Sequence, residues 1–282
     1  MPRAPLARTT VRDALDSAAI GIGAAGSPSP RLDAQVLLAD VLGVDRAALI
    51  AHPERELEPD EARRFAVAAM RRRDREPVAY ILGRRGFRRL ELHVDARVLV
   101  PRPETEHLVD AALGLPHGAR VVDVGTGSGA IALALKDERP DLEVLATDVS
   151  ADALAVARGN AERLGLDVTF AQGDLLEAIA GPVDAVVSNP PYVAAADSGT
   201  LMPEVTRWEP AAALFAGDDG LAVVRRLVPQ ALEAGATFIA LEVGLGQAGA
   251  VGELLAQAGF GDVETVRDLA GIERVVVGRR AP

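Results

Sequence analysis

The stretch Arg120-Val121-Val122-Asp123-Val124-Gly125-Thr126-Gly127-Ser128-Gly129-Ala130 reads as an apolar strand ending near an acid, a glycine turn, and the first residue of a helix. Glycines at such a junction let the backbone turn sharply and approach a ligand closely. Downstream the chain keeps alternating. Strands are expected at Arg120–Val124, Glu143–Thr147, Val168–Phe170, Ala185–Ser188, Thr237–Glu242, Val263–Val266 and Arg274–Val277. Helices are expected at Ala130–Lys136, Ala151–Leu164, Leu221–Ala234 and Gln247–Gln257. This is the βαβ pattern of an α/β, doubly wound sheet. The last two strands are joined only by Arg267 to Glu273. That link is too short for a parallel crossover and predicts an antiparallel pair.

Upstream, Val11 to Ile20 and Leu32 to Leu42 space their apolar residues by three and four, and Ser27-Pro28-Ser29-Pro30 breaks between them. Pro59-Asp60-Glu61 starts a further helix that runs to about Arg73. A small helical bundle is expected. Leu90, Leu92 and Val94 then alternate with polar residues as a half-buried strand does. Asp95-Ala96-Arg97 is read as a turn into Val98-Leu99-Val100, giving a β-hairpin linker. The expected domains are residues 1–78 (helical), 79–100 (hairpin linker) and 101–282 (α/β).

Composition narrows the function classes. The 282 residues are 49% hydrophobic, enough for one or two domains with a large core. Without cysteine there is no disulfide framework, thiolate metal site or cysteine nucleophile. His52, His93, His107 and His117 form no metal-spaced cluster, so no metal is expected. No apolar run reaches the roughly 18 residues of a membrane span, and Met1-Pro2-Arg3-Ala4-Pro5 lacks a signal peptide's apolar core. A cytoplasmic protein is expected. The net charge of −11 divides into +3 over residues 1–100 and −14 over the rest. An acidic catalytic half is poorly suited to phosphate backbones. The run Arg71-Arg72-Arg73-Asp74-Arg75, with Arg84, Arg85, Arg88 and Arg89, reads as a solvated helix end and hairpin face, or else as a docking surface for an acidic or RNA-associated partner.

Ligands of open α/β sheets bind beyond the carboxyl ends of the strands, and four elements fall there in order. The first is the glycine loop. Gly125 to Ala130 also satisfies a loose dinucleotide fingerprint. However, Asp123 would repel a pyrophosphate and suits a ligand carrying an ammonium and a sulfonium, such as S-adenosylmethionine. The second is Asp148, able to accept from ribose hydroxyls or to cap the next helix, for which Ser150 is the better N-cap candidate. The third is Asp174, able to accept from an adenine amino group with a nearby backbone N–H, or to serve as an ordinary turn residue. The fourth is Asn189-Pro190-Pro191-Tyr192. Two prolines cannot continue a strand ladder. They fix a stiff turn presenting an amide, bare carbonyls and a ring, groups that can hold a planar NH2.

Taken with Arg31-Leu32-Asp33-Ala34-Gln35-Val36-Leu37-Leu38-Ala39, Pro77-Val78-Ala79-Tyr80-Ile81-Leu82-Gly83 and Pro101-Arg102-Pro103-Glu104-Thr105-Glu106, these motifs resemble the HemK/PrmC family of protein-(glutamine-N5) methyltransferases. Glu209-Pro210, Ala213-Leu214, Leu241-Glu242-Val243-Gly244 and Asp268-Leu269-Ala270-Gly271 follow in the family's order. Trp208 stands where the family usually has Phe or Tyr, Ile272-Glu273 replaces a commoner Arg-Asp, and Gly86 with its neighbouring arginines varies from the usual linker.

The resemblance implies a class I, Rossmann-like S-adenosylmethionine-dependent methyltransferase domain carrying a small N-terminal helical substrate-recognition domain. It implies a cofactor set of Asp123, Gly125, Thr126, Gly127, Ser128, Gly129, Asp148, Val149, Asp174, Leu175 and Asn189. It also implies a substrate set of Asn189, Pro190, Pro191 and Tyr192, with Asn189, Pro190 and Tyr192 catalytic. The reaction implied is N5-methylation of the Gly-Gly-Gln glutamine of class 1 peptide chain release factors, by a monomer that holds no nucleic acid stably. Competing readings are a methyltransferase of nucleic-acid base amines, disfavoured by the −14 charge and the 3% aromatic content, a nucleotide-binding oxidoreductase, disfavoured by Asp123, and a non-catalytic release-factor-binding module, disfavoured by the intact Asn189 to Tyr192 motif.

Overall fold

The computed structural model describes residues 9–281, so the reading of Met1 to Pro5 lies outside the described residues. The chain divides into two compact units, one through Gly83 that also includes Pro203–Trp208, and the other from Arg84 to Met202 and from Glu209 onward.

The smaller unit is a bundle of α1 (Val11–Ala24), α2 (Pro30–Leu42), α3 (Arg46–Ala51), α4 (Pro59–Arg73) and α5 (Val78–Leu82). Its helix starts follow local chemistry. Thr10 and Asp13 form a capping box on α1, Asp45 caps α3 through Ala48 N, and α4 opens with Pro59. Val11, Leu15, Ile22, Leu37, Leu38, Leu49 and Phe65 form its core. The sequence reading missed α3 and α5, each a turn or so of helix, too short for apolar periodicity to register.

Part of the basic run proves to be interior. Arg72 is 5% exposed. It donates to Asp33 (2.7 Å), Ser27 (3.0 Å) and Glu204 (2.7 Å), and Arg75 pairs with the other oxygen of Glu204. Arg71 binds Glu76. Neither a solvated helix end nor a docking surface describes Arg72 and Arg75, although Arg73, Arg84 and Arg89 are exposed as expected. Arg72 and Arg75 are buried partners of acids, both binding Glu204 on the short helix Pro203–Trp208, while Arg71 is part-exposed.

The larger unit begins with a hairpin, β1 (Arg84–Phe87) and β2 (Leu90–His93), turned at Arg88-Arg89. This corrects the expected pairing of Leu90–Val94 with Val98–Val100. The turn at Asp95 forms, held by Asp95 accepting from Arg97 N and its guanidinium, but no strand returns from it. The reason is hydrogen-bond supply. The β2 backbone already pairs with β1, and at His93 both backbone groups are taken by the Asn160 side chain, N–H to Oδ1 at 2.7 Å and C=O from Nδ2 at 3.0 Å. Arg88 sits at φ 50, an unusual conformation for arginine. It is held there by Glu106 on its amide and by Glu138 and Asp110 on its guanidinium.

The main sheet has seven strands in the order β5-β4-β3-β6-β7-β9-β8. These are β3 (Arg120–Val124), β4 (Glu143–Asp148), β5 (Thr169–Gln172), β6 (Ala185–Ser188), β7 (Phe238–Glu242), β8 (Asp262–Arg267) and β9 (Glu273–Arg279). The first five run parallel, and β9 is antiparallel to both β7 and β8, as the short link required. The helices are α6 (Glu106–Ala112), α7 (Ala130–Glu138), α8 (Ala151–Leu164), α9 (the Pro203–Trp208 segment of the smaller unit), α10 (Ala222–Glu233) and α11 (Ala248–Gln257). Strand periodicity of two divides the core. Val121, Ala146 and Val187 face Leu108 and Leu133 on one side, and Val122, Leu145 and Val186 face Leu227 and Leu255 on the other. Both faces are covered, as a parallel sheet demands. No helix of the described residues is long and apolar enough to cross a membrane.

Candidate active site

From β3 the chain winds one way to β4 and β5, then returns to place β6 on the other side of β3. A crevice opens at the carboxyl ends of strands where the order reverses in this way. Here it is a cavity of about 260 Å³ walled by Gly125 and Gly127 after β3, Asp148 and Val149 ending and following β4, Asp174 and Leu175 after β5, and Asn189, Pro190 and Pro191 after β6. Four separately weak motifs therefore meet in one place.

The glycine loop is folded tightly against β4. Gly125 N and Thr126 N both donate to Thr147 O at 2.9 Å. Gly125 (φ 74), Gly127 (φ 55) and Gly129 (φ 85) all lie in the left-handed region. A Cβ on Gly125 or Gly127 would meet no atom within 4 Å, and both residues line the cavity. A Cβ on Gly129 would stand 2.9 Å from Leu133 Cδ1 and 3.3 Å from Ala157 Cβ. The first two glycines thus leave room for a ligand, and the third lets α7 start against α8.

The acids divide by environment. Asp148 lies on the wall, its Oδ2 accepting from Gly127 N and its Oδ1 from Ser150 N, both at 2.9 Å. Ser150 is the N-cap of α8, as expected. Asp174 also lies on the wall, half exposed and paired with Arg226 at 2.5 Å. Asp123 is different: it is fully buried, and neither it nor the buried Thr126, Ser128 and Gly129 line the cavity. Its Oδ2 accepts from Thr126 Oγ1 (2.6 Å) and Ala132 N (3.1 Å), while its Oδ1 has no hydrogen-bond partner. Burial pushes this carboxyl up to about 7.

The Asn-Pro-Pro-Tyr turn is braced from three sides. Asn189 Nδ2 donates to Thr105 Oγ1 at 3.1 Å. The Thr105 hydroxyl is buried and favours the charged form of the Glu242 carboxyl, which sits at the end of β7. Glu242 is 3% exposed, has an unpartnered Oε2, and is pushed up by burial to about 7. Gln247 Nε2 donates to Tyr192 O (2.9 Å), and its Oε1 accepts from Gly244 N (2.9 Å). Gly244 is required here because a Cβ would stand 3.1 Å from the Tyr192 ring. Burial raises the Tyr192 hydroxyl to about 12, so it stays protonated. Arg102 Nη2 reaches both oxygens of Glu209, next to Pro210, Ala212 and Ala213 on the cavity wall.

Residues 13–83 match the family model "PrmC N-terminal domain", and residues 104–225 match "Methyltransferase small domain". The release factor glutamine methyltransferase of Koribacter versatilis is 44% identical over 279 residues, covering 96% of this chain and 99% of that one. The one from Escherichia coli strain K12 is 42% identical over 259 residues, covering 90% and 93%. The chain belongs to the release factor glutamine methyltransferase family. Among solved structures, a methyltransferase from Pyrococcus furiosus matches with a TM-score of 0.53 at 18% identity, over 68% of this chain and 90% of that one. That likeness speaks to the fold alone.

Against the family expectation, the structure brings Gly125, Gly127, Asp148, Val149, Asp174, Leu175, Asn189, Pro190 and Pro191 to one cavity. Asp123, Thr126, Ser128, Gly129 and Tyr192 do not line it. The sequence reading gave no role to Thr105, Glu242, Arg102, Glu209 or Gln247. One signal was available. Glu242 is a carboxylate at the carboxyl end of the apolar run Phe238 to Leu241, where a buried charge needs a reason.

Proposed function

We propose that this methyltransferase uses S-adenosylmethionine to methylate the side-chain amide of the Gly-Gly-Gln glutamine in class 1 release factors, acting as a cytoplasmic monomer. The observation that carries the site assignment is the orientation of Asn189. Its amide NH2 is committed to Thr105, leaving Oδ1 to accept from a substrate amide at the cavity wall, beside the Pro190 carbonyl.

The residues fit the cofactor. Gly125 and Gly127 offer an open backbone surface, Asp148 can accept from ribose hydroxyls, and Asp174 from an adenine amino group with a neighbouring amide. The unpartnered Oδ1 of Asp123 places negative potential beside the loop, suited to a cation. When bound, S-adenosylmethionine supplies an electrophilic methyl group on a positive sulfur.

A carboxamide nitrogen is a poor nucleophile because its lone pair is delocalised. Asn189 Oδ1 and the Pro190 carbonyl would each take one amide hydrogen, turning the nitrogen towards the methyl, with Tyr192 supporting the turn. Such orientation can supply about 7–11 kcal/mol of a bimolecular barrier, and acceptors aimed at the nitrogen stabilise the positive charge it develops. With the cofactor bound, transfer would exchange its S–C bond for the new C–N bond, and the methylated nitrogen would lose its proton to water. The test is mass spectrometry of a release factor incubated with enzyme and cofactor. The Gly-Gly-Gln peptide should gain the mass of one methylene, and Asn189→Ala should abolish the gain while keeping cofactor affinity. Parallel loss of cofactor affinity and rate would remove Asn189 from this role.

A further inference from the structure

The proposed role of Asn189 depends on which end of its amide faces the substrate, and three side chains decide that. Asn189 Nδ2 lies 3.1 Å from Thr105 Oγ1, and the same hydroxyl favours the charged form of Glu242. Thr105 and Glu242 are both buried, at 3% exposure each. A hydroxyl has a single hydrogen to give. An ionised carboxylate can only accept, so Thr105 gives that hydrogen to Glu242. Its oxygen can then only accept from Asn189, which must present NH2 to Thr105 and Oδ1 to the reaction. A protonated Glu242 can donate instead. The relay then runs backwards: Glu242 donates to Thr105, Thr105 donates to Asn189 Oδ1, and the amide offers the substrate a donor where an acceptor is needed.

We infer that Thr105 and Glu242 are positioning residues which set the polarity of the Asn189 amide, with the ionised carboxylate of Glu242 selecting the productive orientation. This rests on the reading of Asn189 given above. The environment of Glu242 is balanced for such a switch. Glu104 and burial favour its neutral form, Arg102 and Arg274 favour its charged form, and the Tyr192 hydroxyl beside it remains neutral. Activity is therefore expected to fall as pH drops and Glu242 takes up its proton.

The experiment measures kcat, cofactor affinity and the pH profile of the full-length protein with a release factor substrate. Thr105→Val should lower kcat about tenfold to a hundredfold, short of the roughly hundredfold to thousandfold cost of one lost transition-state contact because Asn189 itself remains, with cofactor affinity unchanged. Thr105→Ser, which keeps the hydroxyl, should restore most of the rate. Glu242→Gln should remove the acid limb of the profile. If Thr105→Val fails to fold, the profiles of Thr105→Ser and Glu242→Gln still decide. An unchanged kcat in Thr105→Val, or an unchanged acid limb in Glu242→Gln, overturns the relay provided Asn189→Ala is inactive. An active Asn189→Ala would instead overturn the underlying reading of Asn189.

Discussion

Arg102 Nη2 stands 2.7 and 2.6 Å from the two carboxylate oxygens of Glu209, whose side chain is only 1% exposed. One guanidinium nitrogen thus neutralises a buried acid at the edge of the ligand cavity. Burial still holds the Glu209 carboxyl above its ordinary value despite Arg102. Removing one member of a buried pair leaves the other charge stranded, typically at about 3–5 kcal/mol. Arg102→Ala should destabilise the protein on that scale in denaturant titration, with the loss growing as pH rises and Glu209 is forced to ionise. Arg102→Ala with Glu209→Gln should recover a large part of it.

Asp123 and Glu242 give the stability curve an unusual slope. Both are held near 7 by burial, well above their unfolded values. Between about 4 and 7 the folded chain therefore binds more protons than the unfolded chain at these two sites, so their contribution to stability falls as pH rises through that window. Asp123→Asn should flatten this decline in melting temperature measured at successive pH values. The asparagine oxygen can still accept from Thr126 and Ala132.

Gly129→Ala is expected to be costly. The position is left-handed at φ 85, and the added methyl would stand 2.9 Å from Leu133 and 3.3 Å from Ala157. Backbone strain and overpacking together should cost about 2–4 kcal/mol. A displaced loop should also weaken cofactor binding, read by calorimetry on the folded fraction.

In the smaller unit, Arg72→Ala would take the cation from buried Asp33 and leave Glu204 to Arg75 alone. A loss of about 3–5 kcal/mol is expected. Hydrogen exchange should show the protection of Pro203–Trp208 falling along with that of α4, because Glu204 is held by Arg72 and Arg75.

Where the sequence was legible, a local pattern carried the information. β3 and β6 lie where the reading put them because valine runs ending in a glycine loop or a double proline leave few other options. The antiparallel β9 followed from chain length alone. Val98 and Val100 misled because they are as apolar as a strand partner should be, yet they go to the core beside the cavity while Asn160 takes the backbone of His93. Asp123 was legible as an acid near the loop, but its full burial was not. Thr105 meets Asn189 across a sequence separation of 84, and no spacing rule reaches that far. The basic run misled for the same reason, since the acid that neutralises Arg72 and Arg75 lies far downstream.

That distance bears on modularity. Glu204 is 129 residues beyond Arg75, so the helical domain's interior is encoded in two separate places. Ending a gene fragment at Gly83 would remove the acid that neutralises two buried arginines. Grafting a relative's helical domain onto this catalytic half would bring foreign arginines to a native Glu204. The exchangeable unit is therefore the N-terminal segment together with the hexapeptide Pro203–Trp208, and recombination that respects only the first boundary would yield a domain with an unsatisfied interior.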